Sequence, residues 1–353
     1  MKACTRRRAD SGSRNHVFVG IVPPSEILPE FGMGFTPGPD RFLSFRVQSR
    51  PPFHPDLHLS GAFSSLGSAY VMIAFPPTHR DTLVTEDGTS LHTQYWAPPG
   101  APEALALLVH GYAEHCNRYG DVAHALVNRN VRVHAYDQRG YGRSGGRRAY
   151  VDTFDTYLDD LNQVLRAVRS QGPDRPLFLF GHSMGGLVVL KFVLNRTPSV
   201  RGLLLSAPAL EINPDLAPLL RRVARLLGWA WPTLPTVRSP DDAISRDPAV
   251  VEEAEADPLN YHGRVLARTG AEMLRAGKET RARLHALRTP FLVVHGTADT
   301  LTSPRWSQEL YERAGTSDKT LQFYEGLYHE TFHEPEKDSV LTDLVDWLNA
   351  HLP

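Results

Sequence analysis

Residues 177–190 read as a strand, a sharp turn and a helix, with a serine at the apex. The apolar run Leu177-Phe178-Leu179-Phe180 enters Gly181-His182-Ser183-Met184-Gly185, and Leu187-Val188-Val189-Leu190 continues beyond it. A serine hydroxyl is a poor nucleophile until it is exposed and its proton is removed. A strand-to-helix turn does the exposing, and glycines two residues to either side permit the strained, close-packed backbone that such a turn needs. The five-residue pattern alone is weak evidence. With Gly and Ser each near ~7% of residues, it arises by chance roughly once in ten chains of this length. Its placement between a buried strand and a helix gives it weight.

The flanking sequence supports that placement. Apolar or alternating stretches at 90–96, 105–109, 131–136, 177–180, 202–205, 291–294 and 320–324 have the pattern of strands, and 117–129, 154–170, 185–196, 304–314 and 336–351 that of helices. Alternation of this kind requires crossover connections and a mostly parallel sheet, an α/β class. Residues 208–288 break the alternation and are helix-rich. They lie between a strand ending at Ser206 and one starting at Phe291. An insertion at the carboxyl end of a strand lands over the crevice where such sheets bind ligands, so this segment is expected to cap the site. The core is then 76–207 with 289–353.

Residues 1–75 have a different character. Pro23-Pro24, Pro37-Gly38-Pro39 and Pro51-Pro52 punctuate short, unpaired apolar pieces. Such a stretch buries too little surface to offset its ordering entropy. It is expected to be a disordered extension or sequence upstream of a true start, for which Met72 is a candidate. A regulatory or targeting arm is the functional alternative.

Composition narrows the function. Lys and Arg number 38 against 39 Asp and Glu, a formal net charge of −1, so no whole-chain field draws nucleic acid or acidic lipid. Two cysteines, Cys4 and Cys116, make no disulfide framework and fit a reducing, cytoplasmic compartment. No apolar run approaches transmembrane length, and the basic start has no apolar region behind it for a cleaved signal.

A serine nucleophile needs a base, and the base an orienting acid. After such a turn the expected chain order is Ser, then Asp or Glu, then His. Asp299 ends the segment Phe291 to Asp299, and His329 follows the last strand. Both lie past carboxyl ends of strands, so they can converge on Ser183. The tetrahedral intermediate needs preorganised N–H donors. Met184 N–H, at the start of a helix, is one, and Tyr112 N–H, after His110-Gly111, is the second.

Four motifs together resemble the monoacylglycerol lipase and lysophospholipase branch of the α/β-hydrolase superfamily, the serine aminopeptidase S33-like group. They are His110-Gly111-Tyr112-Ala113-Glu114-His115 with Arg118-Tyr119, Asp137-Gln138-Arg139-Gly140-Tyr141-Gly142-Arg143-Ser144, Gly181-His182-Ser183-Met184-Gly185-Gly186, and Asp257-Pro258-Leu259. The similarity runs from about residue 78 to the C-terminus. It implies an α/β-hydrolase fold with a helical cap after the sixth strand, Ser183, Asp299 and His329 as the catalytic triad, and Tyr112 and Met184 as the oxyanion hole. It further implies Glu114 and Arg118 near the polar end of the substrate site. No cofactor or metal is expected. The implied reaction is hydrolysis of a small lipid ester, a monoacylglycerol or lysophospholipid. A general esterase or thioesterase on smaller acyl groups, and a non-catalytic receptor on a hydrolase fold, are the alternatives. Some members of the branch carry a tyrosine near the glycerol three residues before Asp-Pro-Leu; here that position is Ala254.

Other patterns compete for the same residues. His329-Glu330-Thr331-Phe332-His333 matches a zinc-protease signature, but that motif needs a helix, and here a strand precedes it and Pro335 follows. His182 reads as a packing residue and His295 as a strand-end residue, neither with a catalytic role, and Cys116 reads as an inert small residue rather than a reactive thiol. The glycine-rich run after Arg139 lacks the lysine of a phosphate-binding loop. In 216–228, apolar residues recur at 216, 219, 220, 223, 226 and 227, with arginines on another face and Trp229 and Trp231 following. This is either a helix packed on the body or a lipid-facing helix giving peripheral membrane contact.

Overall fold

The computed structural model describes residues 75–212, 226–238 and 240–352. Eight strands form one sheet: β1 (His79–Val84), β2 (Ser90–Trp96), β3 (Ala104–Val109), β4 (Val131–Tyr136), β5 (Leu177–His182), β6 (Gly202–Ser206), β7 (Phe291–Gly296) and β8 (Lys319–Tyr324). Their spatial order is β1-β2-β4-β3-β5-β6-β7-β8. The β1–β2 and β2–β4 pairs are antiparallel and every pair from β4 to β8 is parallel. The expected mostly parallel sheet is present.

Central strands are apolar throughout because both their faces are covered. In β3, Leu105, Leu107 and Val109 enter one core cluster, and Ala104, Ala106 and Leu108 the other. The first cluster is filled from α2 (Asp155–Ser170) and α3 (Met184–Arg196), the second from α1 (Gly120–Val127) and the C-terminal helix α7 (Lys337–Ala350). In α2 the buried residues Tyr157, Leu158, Leu161, Val164, Leu165 and Val168 recur at helical spacing, which binds one stripe to the sheet. The loop after β4 is tied to α2 by a two-pronged ion pair, Arg139 Nε and Nη2 donating to Asp160 at 2.8 and 2.7 Å.

The sequence patterns do not reveal β1. Its six residues, His-Arg-Asp-Thr-Leu-Val, are almost wholly exposed and lack alternation. It is an edge strand, where charged side chains oppose pairing with another chain, so the features that suit it to an edge hide it from a periodicity search.

Between β6 and β7 lie α4 (Pro248–Ala256) and α5 (Ala267–Ala282); α6 (Pro304–Arg313) follows β7. Residues 226–230 are also helical. Lys191 of α3 reaches Glu279 of α5 at 2.7 Å and fastens this insertion to the core. Most of the amphipathic stretch 216–228, and all of 1–74, lie outside the described residues. Among the described residues no helix is long and apolar enough to cross a membrane.

Candidate active site

Ser183 sits where β5 becomes α3, with φ 51° and ψ −118°. A side chain rarely adopts that backbone, and it persists only where the surroundings over-determine it. The neighbouring contacts supply the constraint. A Cβ on Gly185 would lie 2.1 Å from the Val109 carbonyl oxygen, and one on Gly181 would lie 2.7 Å from the Gly185 oxygen. The first turn of α3 therefore rests on the end of β3, and only glycine fits.

The other sequence-derived residues come from loops at the same ends of the strands. Tyr112 follows β3, Asp299 follows β7 and His329 follows β8. Ser183, Tyr112, Glu114, Arg118 and His329 all line one cavity of about 400 Å³. Ser183, Asp299 and His329 are 9%, 7% and 5% exposed, so a substrate must enter that cavity to reach them.

Asp299 Oδ2 lies 2.7 Å from His329 Nδ1. It also accepts from the Thr302 hydroxyl at 2.8 Å and contacts His295 Nε2 at 3.0 Å. Its Oδ1 accepts from the backbone N–H groups of Leu301 and Thr302 at 2.8 and 3.0 Å. Burial alone would raise its pKa, but His329 and the hydrogen bond from His295 outweigh burial and hold the carboxyl well below the usual range. An ionised Asp299 can only accept, so His329 Nδ1 carries the proton and Nε2 has a free lone pair. Burial pulls the His329 pKa down, but Asp299 reverses this and raises it above 6.5. An imidazole in that tautomer can take a proton from a serine hydroxyl and return it to a leaving group.

His295 was not legible as part of this arrangement. It is fully buried at the end of β7, with Nδ1 2.7 Å from the Ser307 hydroxyl and Nε2 on Asp299. It supports the carboxylate from behind. The only sequence signal was a histidine four residues before the acid.

The loop after β3 is pressed against the serine turn. A Cβ on Gly111 would lie 3.2 Å from Ser183 Cβ and 2.6 Å from Glu114 Oε1. Gly111 N–H donates to Glu114 Oε1 at 2.5 Å, and the same oxygen accepts from Tyr119 OH at 2.6 Å. Arg118 grips Glu330 with two bonds of 2.8 Å, and Glu330 in turn contacts His333 Nδ1 at 2.8 Å. His333 Nε2 closes the ring on the Arg118 carbonyl at 2.9 Å. Glu114 and Arg118 therefore line the cavity and also lock the loop bearing Tyr112 to the loop bearing His329.

The same network accounts for the H-E-x-x-H string. Thr331–His333 is a single 3-10 turn, and the two imidazoles engage different partners, Asp299 and Glu330. His182 is buried, its ring 4.7 Å from that of His329, and burial together with His329 lowers its pKa to about 4. It is neutral beside the base and adds no charge against an imidazolium.

Replacing Arg118 by Met is expected to cost about 3–5 kcal/mol of stability, because Glu330 would remain buried without the guanidinium that balances its charge. Arg118 and Glu330 side chains are only 12% and 8% exposed. Thermal unfolding checks this, and adding Glu330→Gln should restore much of the loss.

Residues 100–336 match the family model described as serine aminopeptidase, S33. A monoacylglycerol lipase of Mycolicibacterium smegmatis is 36% identical over 265 residues, which cover 75% of this chain and 95% of that protein. A monoglyceride lipase of Rattus norvegicus is 35% identical over 273 residues, covering 76% and 90%. Among solved structures, the Paleococcus ferrophilus monoacylglycerol lipase superposes with a TM-score of 0.66 at 29% identity, over 74% of this chain and 99% of that one. A soluble variant of the Saccharomyces cerevisiae monoglyceride lipase, in complex with a substrate analog, has a TM-score of 0.71. At 22% identity, over 82% of this chain and 100% of that one, it bears on the fold alone.

Proposed function

The chain belongs to the serine aminopeptidase S33 family, in the monoacylglycerol lipase branch of the α/β-hydrolases, and we propose from that membership that it hydrolyses monoacylglycerols to a fatty acid and glycerol. Ser183 attacks the acyl carbonyl while His329 takes its proton. Asp299 orients His329 and stabilises its cation. The backbone N–H groups of Tyr112 and Met184 receive the oxyanion. His329 then protonates the leaving alcohol, and water activated by the same ring releases the acid from Ser183. The observation that carries this reading is that Ser183 and His329, itself held by Asp299, open on one cavity. That cavity is mostly apolar, and its volume falls within the ~300–1,000 Å³ of small-molecule sites.

Residues 208–288 act as the cap. Thr236, Ile244, Tyr261 and Met273 from this segment line the same cavity as Ser183, which supports a roof that shields the acyl chain from water. The intact Asp299–His329 pair favours an enzyme over a receptor built on the same fold.

The cap also supplies a surface for peripheral contact with a membrane on the cytoplasmic side. Leu226, Trp229, Trp231 and Val237 are 61%, 73%, 63% and 51% exposed, and Val237 also lines the cavity. Exposed apolar side chains on a segment that also lines a lipid site suit docking to an interface. Trp229→Glu with Trp231→Glu should abolish co-flotation with phosphatidylcholine vesicles. Unchanged flotation would remove the membrane from this account.

Titration of fatty acid released from 1-oleoylglycerol, lysophosphatidylcholine and p-nitrophenyl butyrate tests the substrate class. The glyceryl ester should have the highest kcat/KM. A faster butyrate ester would favour a general esterase.

A further inference from the structure

Asp299 divides its hydrogen bonds unevenly between its two oxygens. Oδ1 takes the backbone N–H groups of Leu301 and Thr302 at 2.8 and 3.0 Å. Oδ2 takes the Thr302 hydroxyl at 2.8 Å and meets two imidazoles, His329 Nδ1 at 2.7 Å and His295 Nε2 at 3.0 Å. An ionised carboxylate only accepts, so each of these ring nitrogens carries a proton. The base of the proposed reaction and a second histidine therefore draw on one oxygen.

Two elements fix the His295 ring. Its backbone belongs to β7 and pairs with Phe323 of β8, and its Nδ1 lies 2.7 Å from the hydroxyl of Ser307 on α6. His295 and Ser307 are both fully buried, so bulk water does not compete for the bond to Asp299. A residue that served packing alone could satisfy this carboxylate from any side. His295 instead sits on the oxygen that orients His329, where each added donor weakens the charge left for the His329 cation. Burial raises the Asp299 pKa, and His329 together with the His295 bond overturns that effect.

We propose that His295 is a positioning residue for the hydrolytic reaction, whose Nε2–H fixes Asp299 Oδ2 and takes up part of its charge, leaving His329 a weaker base than Asp299 alone would make it. This rests on the ester-hydrolase reading above and gives a role to a residue outside the Ser183, Asp299 and His329 set. Burial lowers the His329 pKa, while Asp299, Glu330 and Glu114 all raise it. The neutral His182 ring lies 4.7 Å away, and Arg118 and His333 each bond to Glu330. With three carboxylates pushing upward, a donor on Asp299 is the counterweight. It keeps the ring free to accept the serine proton and acidic enough to return it to the leaving alcohol.

The test is the pH dependence of kcat/KM for p-nitrophenyl butyrate in the wild type, His295→Met, His295→Gln and Ser307→Ala. Methionine fills the space and removes the donor, and glutamine returns an N–H near the position of Nε2. Ser307→Ala removes one oxygen and frees the ring's orientation, which guards against misfolding of His295→Met. Loss of the donor leaves more charge on Asp299, so the acidic limb is expected about one pH unit higher in His295→Met. It should return to near the wild-type pH in His295→Gln and rise by a smaller amount in Ser307→Ala. Removing the Asp299 charge itself would move the limb the other way. A limb at the wild-type pH in folded His295→Met, or in Ser307→Ala should that variant alone fold, means packing only and overturns the assignment even if the plateau rate falls. A shift that glutamine fails to reverse overturns it too. NMR titration of the His329 ring in histidine-labelled protein reads the same shift without turnover. An inactive wild type would therefore overturn the ester-hydrolase reading while the effect of His295 on His329 is still decided.

Discussion

Alanine at position 183 is expected to reduce ester hydrolysis by about a millionfold and to abolish covalent labelling by a fluorophosphonate probe. The size of the effect follows from the site. Ser183 is the hydroxyl placed at the apex of the turn, in a cavity it shares with His329. Removing its oxygen leaves the donors and the pocket in place but nothing to form the acyl-enzyme. Residual activity of about 10³-fold over water, from binding and oxyanion stabilisation, is the floor expected of such sites. The turn itself should survive, since its φ of 51° is enforced by the contacts of Gly181 and Gly185 and not by the serine side chain. Thermal unfolding of Ser183→Ala close to the wild type, with both labelling and turnover lost, is the result that fits. Labelling retained in this variant would place the nucleophile elsewhere.

Asparagine at position 299 should lower kcat by about 10⁴-fold and also move the pH profile. The amide can donate to His329 Nδ1 and so stabilise the wrong tautomer, with the proton on the nitrogen that faces the serine. The shift has a definite sign. Catalysis needs neutral His329, so kcat/KM falls as pH drops through the pKa of that ring. Burial lowers this pKa, and Asp299 more than compensates, placing it above 6.5. The wild-type acidic limb is therefore expected above pH 6.5. Without the Asp299 charge the burial effect gains weight, and the limb of the residual activity should move to lower pH. A limb at the same pH in both proteins would show that another group titrates.

The placement of Ser183, Asp299 and His329 just past carboxyl ends of strands was legible because each residue ends or follows a strong strand pattern. The core strands were legible for a related reason. β3, β5, β6 and β7 are buried on both faces and read as unbroken apolar runs. β1 was hidden by its exposure. The support of Asp299 by His295, four residues before it, and Thr302, three after it, was hidden because no motif distinguishes such neighbours from ordinary strand-end and loop residues. Glu330 and His333 were visible as a string, but their work is with Arg118, more than 200 residues earlier. That pairing depends on how two loops meet and not on either loop alone.

The contact between α3 and the end of β3 has a consequence for how this protein tolerates change. Gly185 touches the carbonyls of Val109 and His110, so the spacing of the Ser183 turn from the Tyr112 loop is set by main chain against main chain. Side-chain packing deeper in the molecule determines how often the polypeptide is folded, but it does not enter that spacing. Drift among core residues should accordingly alter how much enzyme accumulates while leaving turnover per folded molecule nearly constant, and the glycines of the turn should be the positions where yield and turnover fail together.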